Sequence, residues 1–397
     1  MGDRLIDDAS TNTRPRVMFL SHDMLWPTVG GGRLRCENLL RRALSRYDID
    51  LIIVAPASDV ERYSCDVPEV DGLSVSIFAD ESRNTFGPSR ASGGATDRIR
   101  ELMDRHSYLA IHVEGSFLMP VIPLDIRHLA VVVEHNVESE LLQQFVQLGR
   151  EVPHEEIENN CRVEQDAWRS ARAVIALCPE DAAIIKSREP TIVPVVIPNG
   201  WDHLSTRDVP AADDQEQLSR PQLLFLADFE YPPNRDATRW LVHDILPMIR
   251  AHVPEVRLSL AGINFDRQLQ DVVVGTPNVT ISGYVPAVQD ELDQADIVVC
   301  PLRVGGGVKT KVIEALRRAC LLVSTTTGGA GIPEVLRSGI CFADSAEDFA
   351  AFVVRLCKNP PERRWRRMHL VANEGAAPTW GDAAQATFAV WLNGLQP

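Results

Sequence analysis

Short apolar runs separated by amphipathic stretches of helix length recur from one end of the chain to the other. In the first half, VMFLS (17–21), LIIVA (51–55), LSVSIF (73–78), LAIHVE (109–114), LAVVVE (129–134), AVIAL (173–177) and IVPVVI (192–197) predict strands. Helices are predicted near 33–47, 96–106, 138–149, 155–171 and 180–188. After IPNGWD (197–202) comes HLSTRDVPAADDQEQLSRP, a polar, acidic stretch with linker composition. A second series follows, with strands LLFLA (223–227), VRLSLAG (256–262), VTISG (279–283), IVVC (297–300), LLVST (321–325) and ICFA (340–343). Its helices are predicted near 235–252, 265–273, 309–319 and 346–357.

Runs without hydrophobic alternation belong to strands buried on both faces, and their spacing leaves room for crossover helices between parallel neighbours. The chain therefore reads as α/β: two doubly wound, Rossmann-like units facing each other across an interdomain cleft. The boundaries predicted are a disordered tail over 1–14, a first domain over 15–204, a linker over 205–220 and a second domain over 221–375. A helix over 376–397 has no strand after it and is expected to pack back towards the first domain. Ligands of such sheets bind outside the carboxyl ends of the strands, so the loops after the strands carry the interest.

Composition narrows the function classes. A net charge of −15 disfavours a nucleic-acid partner, whose phosphates select clustered Lys and Arg. Eight cysteines without a C-x-x-C or zinc-like spacing fit reduced thiols in a cytoplasmic protein. The opening MGDRLIDDASTNTRPR lacks the basic and apolar regions of a signal peptide, and no apolar run approaches the roughly 18 residues of a membrane span.

Two glycine-rich turns carry candidate chemistry. ADIVVCPLRVGGGVKTKVIEAL reads as strand, loop and helix, with Gly305, Gly306 and Gly307 opening the loop. Such a loop frees backbone N–H groups at a helix start and makes a natural diphosphate seat, with Arg303, Lys309 and Lys311 to neutralise charge. Glu314 would accept hydrogen bonds from vicinal hydroxyls such as those of ribose. Equally, the glycines fit a plain tight turn with Glu314 paired to a neighbouring cation on a solvated face. Val308 separates the glycines from Lys309, so this is not a P-loop. In the first domain, WPTVGGGRLR places Gly30, Gly31 and Gly32 before a helix with Arg33 and Arg35 ready for an anion, or merely solvated. The same helix, RLRCENLLRRALSRY, fits either a core stripe with arginine edges or a surface for an anionic membrane. His135 closes a strand in EHNVES; residue type alone makes it a structural or surface histidine. In YPPN, the prolines fix a turn and Asn234 suits a helix cap, with ligand contact as the sharper reading.

Taken in order, PTVGGGRLRCENLL, VVEHNVES, VEQDAWRSARAVIALCPEDA, IPNGWD, YPPNRDATRWL, ILPMI, ISGYV, the Gly305 segment and LLVSTTTGG resemble the GT-B glycosyltransferases, specifically glycosyltransferase family 4, over about residues 15–360. The resemblance implies a GT-B fold and a retaining hexosyltransferase using a UDP- or GDP-type sugar donor, with no cofactor and no metal. It implies a nucleotide site at Gly305 to Gly307, Lys309, Lys311 and Glu314, and a turn at Gly31, Gly32 and Arg33 bordering phosphate and acceptor. It places His135 beside the transferred sugar, with Glu134, Asn136 and Glu138 as weaker candidates. The acceptor would be a glycan, a lipid-linked glycan or a small molecule. Three positions depart from the family pattern: Gly306 stands where a sugar-contacting Glu is frequent, Ala330 where an acid is common, so that either Glu334 takes over or no acid is needed, and Ala227 where a Gly is usual. Asp48-Ile49-Asp50 is formally a D-x-D, but it precedes its strand, at the wrong end for a ligand. An epimerase or hydrolase of the same fold, or a noncatalytic sugar-nucleotide-binding protein, remains the alternative.

Overall fold

The structure, a computed structural model, describes residues 14–28, 30–80, 93–206 and 218–393. The tail expected over 1–14 lies outside these residues except for Arg14, as does the expected linker from 207 to 217. The first sheet comprises β1 (Arg16–Ser21), β2 (Asp48–Pro56), β3 (Leu73–Asp80), β4 (Ala110–Glu114), β5 (Ala130–Glu134), β6 (Ala173–Ala176) and β7 (Val195–Val196). All its pairings are parallel, in the order β3-β2-β1-β4-β5-β6-β7. The second sheet comprises β8 (Gln222–Asp228), β9 (Arg257–Ile263), β10 (Val279–Gly283), β11 (Ile297–Cys300), β12 (Leu321–Ser324) and β13 (Ile340–Phe342). It too is wholly parallel, in the order β10-β9-β8-β11-β12-β13. Strand order reverses between β1 and β4 in one sheet and between β8 and β11 in the other, and the loops after these strands open into the crevice where ligands of such sheets bind.

Alternation along each strand divides the first domain's core into two layers. Val17 and Phe19 of β1, with Val131 and Val133 of β5, face one side; Met18 and Leu20, with Ala130 and Val132, face the other. The first side is covered by helix Gly31–Ala43, through Cys36, Leu39, Leu40 and Ala43, and by helix Trp380–Asn393, through Trp380, Ala384, Phe388 and Trp391. The last helix of the chain thus completes the core of the first domain. Asp202 accepts from Trp380 N at 2.6 Å, Trp201 N donates to Pro378 O at 2.9 Å, and Arg172 donates to the carbonyls of Val390 and Trp391. The apolar stripe of helix Gly31–Ala43 is therefore core rather than a membrane-facing surface. Among the described residues no helix is long and apolar enough to cross a membrane.

Several local expectations change. The single helix expected over 235–252 forms as Pro232–Trp240, a wide π turn at Leu241–Ile245 and Leu246–Arg250. Leu246 N bonds Leu241 O just before Pro247, which has no N–H to continue the α-helical ladder. The strand expected over 192–197 shrinks to Val195–Val196, because Pro194 interrupts the donors needed for pairing. Helices Ala57–Tyr63 and Val288–Gln294 add to those predicted. Asp48 and Asp50 sit at the amino end of β2, held by Arg16 at 3.3 and 2.8 Å, with Tyr108 Oη donating to Asp50 at 2.6 Å. They are a structural ion-pair group away from the cleft.

Candidate functional site

The C-terminal wall of the cleft is built on the turn after β11. Helix Thr310–Arg317 begins with Lys309 at its N-cap, one residue later than the glycine spacing suggested. Gly305 and Gly307 adopt positive φ of 144° and 62°, a conformation that favours glycine. Lys309 folds back over the loop, donating to Gly307 O at 2.9 Å and Gly305 O at 3.3 Å. Desolvation is the main reason its ammonium falls below the usual lysine value, despite nearby Cys300 and Asp181. Lys311 donates to Asn234 Oδ1 at 2.7 Å and lies 4.6 Å from the Phe225 ring centre. Burial pushes its ammonium down to about 8, and the neighbouring Lys309 charge adds to the effect. Two cations thus share one helix start, one at its cap and one in its first turn, where the helix itself favours an anion.

Asn234 does not cap its helix. Tyr231 is the N-cap, and Asn234 lies within the first turn. Its amide donates to Asp228 O at 2.7 Å while its carbonyl receives Lys311, so it tethers the lysine to the end of β8. Arg303 is engaged elsewhere as well: it forms a two-pronged pair with Asp236 at 3.0 and 2.6 Å and lies over Trp240. Glu314 faces His203 Nε2 at 3.4 Å, and His203 Nδ1 receives the Trp380 indole N–H at 3.4 Å. An indole can only donate, so Nδ1 is the acceptor and the ring proton sits on Nε2, which is buried near Glu314 without a hydrogen bond among the described residues.

The N-terminal wall centres on the end of β5. His135 Nε2 bonds Glu114 Oε2, the terminal residue of adjacent β4, and Glu114 Oε1 lies 2.8 Å from His112 Nε2. Burial opposes charge on Glu114, but the His135 charge and the hydrogen bonds from His112 and His135 together hold it well below the usual carboxylate range. Gly32 lies beside His135: a Cβ built on Gly32 would stand 3.8 Å from the ring Cε1. Arg33 pairs with Asp59 at 3.2 Å and lies over Tyr63, which occupies the guanidinium expected to wait for an anion. Arg35 is fully buried and donates to Asn199 Oδ1 at 3.0 Å and Ile197 O at 3.3 Å. Glu134 turns inward, receiving Trp168 Nε1 at 2.6 Å; burial, with Glu164 adding to it, raises its carboxyl to about 8. Glu138 starts helix Glu138–Gln147.

The two walls meet at the glycines. Gly305 N donates to Gln144 Oε1 at 2.9 Å and Gly307 N to Asp181 Oδ2 at 3.2 Å. A Cβ on Gly307 would strike the carbonyl oxygen of His135, and one on Gly31 would strike Thr310 Oγ1. A Cβ on Gly306 would come within 2.9 Å of Asn136 Cβ, so the Glu that the family pattern favours there does not fit unless Asn136 gives way. Beside this contact is an interdomain cavity of about 250 Å³, lined on one side by Glu140, Gln144 and Asp181 and on the other by Thr326, Ala330 and Arg337. Glu334 is solvent-exposed and pairs with Arg337 at 3.5 Å.

His135, the first-domain glycines, Gly305 to Gly307, Lys309, Lys311, Glu314 and Asn234 thus all lie along the facing strand ends, while Arg33 and Arg303 are taken by local carboxylates. Reading the sequence missed Glu114, His112, His203, Gln144, Asp181, Trp380 and Trp391. Glu114 was within reach, since it closes the strand LAIHVE just as Glu134 closes LAVVVE. Asp181 and Gln144 sit inside helices, with no local pattern to mark them.

Two facing parallel Rossmann-like sheets with strand ends opposed across a cleft define the GT-B fold. Residues 220–359 match the family model described as Glycosyl transferases group 1. Solved structures of similar fold include Anabaena Alr3699/HepE in complex with UDP and glucose, at TM-score 0.68 and 13% identity over 95% of this chain and 99% of that one. WaaG, a glycosyltransferase involved in lipopolysaccharide biosynthesis, aligns at TM-score 0.65 and 12% identity over 95% and 100% of the respective chains. An uncharacterized 44.6 kDa protein in the cps region of Klebsiella pneumoniae is 24% identical over 153 residues, which span 37% of this chain and 39% of that protein.

Proposed function

We propose that the protein is a retaining, metal-independent family 4 glycosyltransferase that moves a hexose from a nucleoside-diphosphate sugar to a hydroxyl of a glycan, a lipid-linked glycan or a small molecule. The observation that carries this reading is the pairing of Lys309 and Lys311 at one helix start with Glu314 a turn further on, across the cleft from His135. The second domain would hold the donor and the first the acceptor. The solved complexes of Alr3699/HepE with UDP and with UDP-glucose support a uridine donor, and the glycosyl transferases group 1 match covers the half that holds the lysines. The free thiols fit action in the cytoplasm.

In the reaction, the bond from the anomeric carbon to the diphosphate oxygen breaks and a bond to the acceptor oxygen forms on the same face. The acceptor proton passes to the departing diphosphate. Lys309, Lys311 and the helix start supply positive potential where leaving-group charge grows, which replaces a bound cation. Glu314, with His203 close by, receives the ribose hydroxyls. His135 lies beside the sugar, and closure of the cleft keeps water from the donor.

The test is turnover and binding with a panel of uridine, guanosine and thymidine diphosphate sugars. Lys311→Ala and Glu314→Ala are expected to lower turnover by at least about a hundredfold while the fold is retained. Full turnover by both variants, or failure of the parent to bind any donor, would overturn the reading.

A further inference from the structure

A buried chain of hydrogen bonds runs from the C-terminal helix to His135, and its donors and acceptors leave one consistent proton order. Trp391 Nε1 lies 3.1 Å from His112 Nδ1. The indole only donates, so His112 Nδ1 accepts and the ring proton sits on Nε2. That proton goes to Glu114 Oε1, at 2.8 Å. His112, Glu114 and Trp391 are all fully buried, so no water competes for these positions. The other carboxylate oxygen, Oε2, accepts from His135 Nε2. Among the described residues His135 Nδ1 has no hydrogen-bond partner, and it faces Gly32, where a built Cβ would stand 3.9 Å away.

We infer that Glu114 is a positioning residue for His135: it accepts the Nε2 proton, so that the neutral form of the ring is held in the tautomer whose Nδ1 lone pair faces the glycine turn. This inference rests on the glycosyltransferase reading for its consequence. A hydroxyl of the transferred sugar entering beside Gly32 would donate to Nδ1, which orients the sugar and leaves the acceptor's proton free to pass to the departing diphosphate. Histidine tautomers are commonly set by the hydrogen bond of the opposite nitrogen. Here the setting extends two residues further, because Trp391 prevents His112 from exchanging its own donor and acceptor ends.

The chain makes a specific demand on Glu114→Gln. A glutamine has the same shape but one acceptor and one donor in place of two acceptors. His112, held by Trp391, always presents Nε2–H, so the new carbonyl must turn to His112 and the new NH2 to His135. His135 must then accept at Nε2 and carry its proton on Nδ1, which inverts the tautomer without removing a side chain.

The experiment records ring 15N shifts of His135 and steady-state kinetics in the parent, Glu114→Gln and Glu114→Gln/Trp391→Phe proteins. The expected result is Nε2–H in the parent and Nδ1–H in Glu114→Gln. Turnover should fall by at least about tenfold while nucleoside-diphosphate affinity, measured by calorimetry, changes less than about twofold. In the double variant His112 is released, the glutamine can turn over, and part of both the Nε2–H signal and the turnover should return. An unchanged His135 tautomer in Glu114→Gln overturns the inference, as does an inverted tautomer with full turnover. If no donor sugar is turned over by the parent, the functional reading fails and the ring shifts alone decide the assignment to Glu114.

Discussion

Lys311 is the residue whose chemistry is most altered by its surroundings. Its ammonium is desolvated, and the nearby Lys309 charge adds to the effect, which lowers it to about 8. A diphosphate arriving beside it would raise that value again, since an adjacent anion favours the charged form. Only the protonated lysine binds well, so affinity for a nucleoside diphosphate is expected to be flat below pH 7 and to weaken as pH rises from 7 to 9. The limit is about tenfold per pH unit above 8. Calorimetry in buffers of different ionisation enthalpy should show proton uptake on binding in this range, and Lys311→Met should reduce both the slope and the uptake, leaving only what Lys309 contributes. A pH-independent affinity in the parent would remove Lys311 from the binding site. None of this was legible in the sequence beyond the presence of a lysine after a glycine loop. The pairing with Asn234 and the stacking on Phe225 join residues from two other segments, which no local pattern connects.

At the scale of elements, the strands and their loops were legible because uninterrupted runs such as LAVVV leave little choice but a doubly buried strand, whereas a break such as Pro194 only shows its cost once pairing is seen. What the glycines do was less legible. Gly31 opens helix Gly31–Ala43 with ordinary helical backbone, so its role is space: any Cβ there collides with Thr310 Oγ1 on the opposing domain. Gly31→Ala is therefore expected to leave stability within about 1 kcal/mol of the parent, since alanine suits a helix. It should nevertheless separate the two helix starts and lower turnover several-fold. Thr310→Ala removes the struck oxygen and leaves its Cβ at 3.5 Å, an ordinary contact, so the double variant should recover most of the loss. If Gly31→Ala is as impaired with Thr310→Ala as without it, the close approach of the two turns is not what the reaction uses.

At the scale of the molecule, the last helix of the chain serves the first domain, although the whole second domain lies between them in sequence. Trp380, Phe388 and Trp391 are buried in the layer under helix Gly31–Ala43. Trp380 also orients His203, the residue next to Glu314, from the segment that leads out of the first domain. A terminal amphipathic stretch without a following strand can be read from sequence, but its partner cannot, because helical periodicity says which face is apolar and not what covers it. Removing a buried aromatic side chain costs about 3–5 kcal/mol, so loss of three would exceed the stability of an ordinary domain, about 5–15 kcal/mol, or leave it marginal. The second domain keeps its own core in the absence of this helix, since none of these three residues belongs to it. A chain ending at residue 376 is thus expected to unfold in residues 14–204 while residues 218–376 stay folded. Hydrogen exchange by mass spectrometry should show protection retained over β8 to β13 and lost over β1 to β7. Retained protection in both sheets would mean that helix Trp380–Asn393 only covers a core that is complete without it.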